Sequence, residues 1–127
     1  MNGQNSAFVI LPFEEPFEGL YEDILSPALE EKGYRVNKAD SQGTQRNIVE
    51  DVVEGITTAD LLLADLTGLN SNVFYELGIA HMRGIPTILI TQDLGELPFD
   101  LQAYNTIEYS LKYDEIDELE DKIKRDR

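Results

Sequence analysis

A chain of 127 residues has room for one hydrophobic core and not two; its 42% hydrophobic content is ordinary for a folded protein and too high for a disordered one. Lys plus Arg number 10 and Asp plus Glu 25, a formal net charge of −15, and so acidic a surface repels a phosphate backbone and argues against a nucleic-acid polymer as partner. There is no cysteine, which excludes disulfides and thiolate metal sites, and no apolar run approaches the roughly 18 residues of a membrane span.

The opening MNGQNSAFVI lacks the charged region and long apolar stretch of a signal peptide, so the expectation is a cytoplasmic protein without a membrane partner. The net charge does not exclude a mononucleotide, whose one or two phosphates need only a local cation or a helix amino terminus. Much of the acid lies in Glu14 to Glu31 and Asp114 to Asp121, which read as solvated helix faces.

In chain order, Ala7 to Leu11 is a continuous apolar run ended by Pro12, a buried first strand. From Phe17 to Lys32 apolar residues recur at three and four, an amphipathic helix stopped by Gly33, with Pro27 predicting a kink or a break. Tyr34 to Ala39 is a short strand carrying Arg35 and Lys38. The loop Asp40 to Thr44 leads to a second helix with Ile48, Val49, Val52, Val53 and Ile56 at core spacing.

Leu61 to Ala64 is a third, buried strand that meets a carboxylate at Asp65. A polar turn (Thr67, Gly68, Asn70, Ser71, Asn72) opens a helix holding Glu76 among Val73, Phe74, Leu77, Ile79 and Ala80. Gly84 and Pro86 end that helix before a fourth strand, Thr87 to Thr91. Gln92 to Gln102 is loop with room for one helical turn, Thr106 to Tyr109 a short edge strand, and Ile116, Leu119 and Ile123 mark an exposed amphipathic helix. Strands alternating with helices predict one α/β domain over residues 1–127. It is doubly wound and flavodoxin-like, with a five-stranded parallel sheet and helices on both faces.

In such sheets ligands bind outside the carboxyl ends of the strands, where Asp65, Asn70, Asn72 and Glu76 fall. Near the start of a helix, Glu76 feels a dipole that favours the carboxylate, while Val73, Ile79 and Ala80 desolvate it and raise its pKa. A carboxylate so placed can attack a sugar carbon or stabilise an oxocarbenium ion; equally, it can complement the helix terminus at the surface. Asp65 can orient Glu76, contact a ribose or protonate a departing base, or it can bond the turn amides around Gly68. Asn70 and Asn72 are both plausible caps. Gly43, Thr44 and Arg46 could hold a phosphate, a weak signal. His81, the lone histidine, suits helix packing or the helix carboxyl terminus. No metal-ligand cluster, Ser/His/Asp arrangement or Gly-rich phosphate loop of Walker or Rossmann type is present, so no metal or cofactor is expected.

AFVILPF, ADLLLADLTGLNSNVFYELGIAH and GIPTILIT together resemble the nucleoside 2-deoxyribosyltransferase-like superfamily, itself related to bacterial TIR-like domains, over roughly residues 7 to 110. The resemblance implies that Glu76, in Glu76-Leu77-Gly78, attacks the anomeric carbon, with Asn70 six positions earlier where those enzymes usually carry Asp. Pro12-Phe13 stands where they usually carry a tyrosine. It implies an enzyme that cleaves or transfers across the N-glycosidic bond of a nucleoside, nucleotide or NAD-like dinucleotide. Asp65 and Asn70 would position the ribose; Pro12, Phe13, Gly43, Thr44, Arg46, Asn47, Gly68 and Asn72 would line the pocket. It also implies a homodimer or larger assembly, for which Phe74, Tyr75 and Met82 are candidates. The alternative is a non-catalytic nucleotide-binding or TIR-like signalling module, in a bacterial defence setting for example.

Overall fold

The computed structural model describes residues 5–12, 15–38, 53–69, 71–97 and 106–126, with the backbone alone at Ser71 and Asn72. Five parallel strands form one sheet in the order β2-β1-β3-β4-β5: β1 Ser6–Ile10, β2 Arg35–Lys38, β3 Leu61–Asp65, β4 Thr87–Thr91 and β5 Thr106–Glu108. This is the expected doubly wound, flavodoxin-like arrangement. The register Ile10 with Ala64, Asp65 with Ile90 and Thr91 with Glu108 brings the carboxyl ends of four strands to one edge.

The three inner strands are mainly apolar because both of their faces are covered. Ala7, Val9, Leu61, Leu63, Ile88 and Ile90 point to one side, while Phe8, Ile10, Leu62, Ala64 and Leu89 point to the other. On the first side lie α1, residues 17–31, and α4, Ile116–Arg125; on the second lie α2, residues 53–58, and α3, Ser71–Met82.

Helix α1 runs through Pro27 without breaking. Proline has no N–H to offer the preceding turn, and its ring crowds the carbonyl four residues back. The turn Tyr21–Leu25 widens to π geometry, with Ser26 N–H donating to Tyr21 O, and Leu25 and Ser26 keep helical angles. Gly33 ends the helix at φ +97°, Tyr34 N–H reaching back to Leu29 O at 3.2 Å.

Helix α4 buries Leu119 and Ile123 completely and keeps Asp117, Glu118 and Asp121 outward. Lys32, from the end of α1, donates to the carbonyls of Ile123 and Asp126 and so caps α4. In α2, Ile56 is buried but Val53, expected in the core, is 38% exposed; Ile48, Val49 and Val52 lie outside the described residues. The expected helical turn after β4 is a 3-10 turn, Leu94–Glu96, started by Asp93 accepting from Gly95 N–H. Among the described residues no helix is long and apolar enough to cross a membrane.

Two glycines in helices test the packing with opposite signs. A Cβ on Gly55 would stand 2.3 Å from Cε1 of the buried Phe8 ring, whereas one on Gly78 would meet nothing within 4 Å. Urea unfolding of Gly55→Ala is expected to show a loss of about 1–3 kcal/mol from overpacking. Gly78→Ala is expected to gain about 0.5–1 kcal/mol from helix propensity.

Candidate functional site at the carboxyl edge

Strand β3 is the centre of the sheet, and every one of its residues is buried. Its last residue, Asp65, has 0% exposure, and a carboxylate so placed must be hydrogen-bonded from within the protein. Oδ1 accepts from Thr67 N–H at 2.9 Å, and Oδ2 accepts from the hydroxyl of Tyr109, just past β5. The Tyr109 hydroxyl accepts in turn from Gln92 Nε2 at 3.3 Å, while Gln92 N–H donates to Thr67 Oγ1 at 3.0 Å. Asp65, Thr67, Gln92 and Tyr109 thus close a ring across the ends of β3, β4 and β5.

Burial pushes the Asp65 pKa up, against lowering by its hydrogen bonds from Thr67 and Tyr109. Tyr109 is raised, first by burial and then by the Asp65 charge, so its proton stays on oxygen and the hydroxyl remains a donor. The contact between Asp65 and the turn is the alternative role foreseen for it. Fully buried, its carboxylate presents no surface to a ribose.

Beyond Thr67 the chain takes two left-handed residues in succession, Gly68 at φ +78° and Leu69 at φ +54°. Glycine adopts this freely; leucine does so at a cost of about 1–3 kcal/mol, sustained only where neighbours hold the turn. Leu69 N–H donates back to Leu66 O at 3.0 Å. The turn delivers the chain into α3, whose face formed by Val73, Leu77 and Ala80 packs into the core.

Glu76 sits in the second turn of α3, one turn from the buried Val73 and Ala80, and is itself half-buried. Burial raises its pKa from 4.5 to about 7. The helix dipole opposes that rise, and among the described residues no hydrogen bond or cation offsets the loss of water. Desolvation wins.

Of the other expected site residues, Pro12 is buried just beyond β1, beside the end of β3. Gly68 is exposed in the turn, and Asn72 lies in the first turn of α3. Phe13, Gly43, Thr44, Arg46, Asn47 and Asn70 lie outside the described residues. Two hollows of about 350 Å³ are lined by described residues, one around Arg35, Lys38, Glu54 and Gly55, the other around Gln92, Tyr109, Lys112 and Lys122; Glu76 lines neither. Lys38 is engaged with Glu18 at 3.3 Å and with the Tyr21 ring. Among the described residues no group of three or more His, Cys, Asp or Glu side chains could hold a metal ion.

Tyr109, Gln92 and Thr67 were not foreseen as site residues. Only Tyr109 carried a sequence signal, a tyrosine closing a short strand.

No protein-family model matches the chain, and no curated protein matches it in sequence. Solved structures do share its fold. A CMP N-glycosidase from Clostridium botulinum is 22% identical, with a TM-score of 0.67 over 91% of this chain and 98% of that one. A 2-desoxiribosyltransferase from Leishmania mexicana is 17% identical, with a TM-score of 0.62 over 70% of this chain; the match spans only 65% of the transferase. The TIR domain of a Toll-related receptor from Hydra magnipapillata is 16% identical, with a TM-score of 0.63 over 80% of this chain and 82% of that one. At such identities the likeness is one of fold.

The raised pKa of Glu76 has a stability signature. A folded-state pKa above the unfolded value means that the folded protein binds the extra proton, so stability falls as pH rises from 4.5 to about 7. Glu76→Gln removes that fall. Thermal melts are expected to show the variant matching wild type near pH 4 and exceeding it by about 1–2 kcal/mol above pH 7.

Proposed function

We propose that the protein is an enzyme that breaks the N-glycosidic bond of a nucleoside, nucleotide or NAD-like dinucleotide at the carboxyl edge of its sheet. The observation that carries this reading is the Glu76 carboxylate: fixed on a helix, half-desolvated, titrating near neutrality and without a cation among the described residues. Such a group is costly for stability and useful for chemistry. Two enzymes that share the fold support the choice of bond, since their names place one on CMP as an N-glycosidase and the other among deoxyribosyltransferases.

In this reading an oxygen of ionised Glu76 approaches the anomeric carbon, either bonding to it or stabilising the oxocarbenium ion. The carbon–nitrogen bond breaks, and its electron pair leaves with the base, which takes a proton from solvent. Water then receives the sugar in a hydrolase, or a second base in a transferase. Asn70 positions the ribose directly, and Asp65 acts through the turn it anchors. Pro12, Phe13, Gly43, Thr44, Arg46, Asn47, Gly68 and Asn72 line the pocket.

A second reading has one specific observation in its favour. Tyr75 is 67% exposed and Met82 89%, seven residues apart on the outer side of α3. That is a surface for self-assembly of a TIR-like module, and in that case activity or light scattering rises steeply with protein concentration.

The test is incubation of the pure protein with nucleosides, deoxynucleosides, CMP and NAD, followed by chromatography for free base. Wild type is expected to release base from at least one, with Glu76→Gln folded and slower by about 100-fold or more. Because the carboxylate is the working form, kcat/KM is expected to fall as pH drops through about 7. Equal base release by Glu76→Gln sinks the enzymatic role of Glu76.

A further inference from the structure

We infer that Tyr109 is a positioning residue for Glu76, acting through Asp65 and the turn between β3 and α3; this deepens the reading of Glu76 given above and rests on it. Tyr109 is 6% exposed and lies 44 positions from Asp65 in sequence. Strand β5, which brings it there, is three residues long and among the described residues pairs only with β4. Tyr109 N–H continues that pairing to Thr91 O at 3.0 Å, which sets the ring's reach toward β3.

The hydroxyl donates to one carboxylate oxygen of Asp65, and the other oxygen receives Thr67 N–H. Gln92 braces both ends of this chain, its side chain on the tyrosine oxygen and its backbone N–H on Thr67. Thr67 is therefore held from two directions immediately before Gly68 and Leu69, the two left-handed residues that aim α3. Glu76 stands nine positions beyond Thr67 along a turn and a rigid helix, so a shift at Thr67 is carried to the carboxylate. Displacements of about 1 Å at a reacting group cost up to about 100-fold in rate.

Removing the hydroxyl leaves one Asp65 oxygen buried without its donor, and the turn relaxes to find another. The expected result for Tyr109→Phe is a kcat at least about tenfold below wild type with KM kept within about twofold. Ile123→Val, fully buried in α4 in the same cluster as Tyr109 but with no bond to Asp65, lowers the melting temperature while keeping kcat. Asp65→Asn combined with Tyr109→Phe is expected to be no slower than the slower single variant, because the ring acts as one unit. Hydrogen exchange supplies a readout that needs no activity: Tyr109→Phe is expected to speed exchange from Leu66 to Val73 and to leave α4 unchanged.

Wild-type kcat in Tyr109→Phe, or an equal loss of kcat in Ile123→Val, overturns the inference and leaves the reading of Glu76 standing. Unaltered exchange at the turn overturns it as well. A wild type that releases no base from any nucleotide overturns the reading of Glu76, and the catalytic half of this inference with it.

Discussion

A carboxylate at the end of the central strand, with no exposed surface, sets a condition that the rest of this edge has to meet. Leaving Asp65 without donors would cost several kcal/mol. The donors come from Thr67, two residues on, and from Tyr109, at the far side of the sheet. One short range partner shapes the turn, and one long range partner fixes where the last strand must run. β5 has three residues and, among the described residues, a single neighbour, so its pairing alone is a weak anchor. The bond from Tyr109 to the central strand supplies a second one, across β4.

Two acidic residues close in sequence are thus given different settings by their surroundings. Burial raises the pKa of both. At Asp65 hydrogen bonds push back, and the charge is absorbed into the scaffold. At Glu76 nothing among the described residues pushes back except the helix dipole, and the pKa stands near 7. One carboxylate is bonded into the frame of the sheet, and the other is left half-buried without a described partner.

The sheet was legible because its strands are either mainly apolar or short and terminal. AFVI, LLLAD and TILIT can sit only where both faces are covered, and three such runs separated by helical periods leave a doubly wound sheet as the simple solution. Strand and helix ends agree with the residue pattern to within a residue or two where they are described. Pro27 marked the place of an irregularity, but its form, a turn widened at Tyr21–Leu25, depends on how the helix relieves the clash. Val53 has the right spacing for the core but belongs to the outward side of α2. Glu76 could be read as a carboxylate under opposed influences, yet their balance depends on burial that only the fold decides. The Asp65–Tyr109 bond was out of reach for another reason. Nothing local marks a contact across 44 residues, and both side chains have ordinary roles at a strand end.

The distribution of charge bears on which side of the sheet a ligand can approach. Among the described residues α1 carries Glu18, Glu22, Asp23, Glu30 and Glu31, and α4 carries Asp117, Glu118, Glu120 and Asp121, all in one layer. Among the described residues the opposite layer carries less acid: α2 has Glu54, α3 has Glu76, and Arg83 follows the last turn of α3. Among the described residues the acid carried on helices is therefore greater on one face than on the other. Over the distances that salt leaves unscreened, roughly 8–10 Å, a phosphate approaching α3 is influenced mainly by that helix and its amino terminus, and little by the acidic layer behind the sheet. At Glu76 burial is the cause of the shift, and among the described residues no second carboxylate adds to it. Among the described residues an acidic protein thus places a half-buried carboxylate, with a pKa raised to about 7, in the layer that carries less of its helical acid.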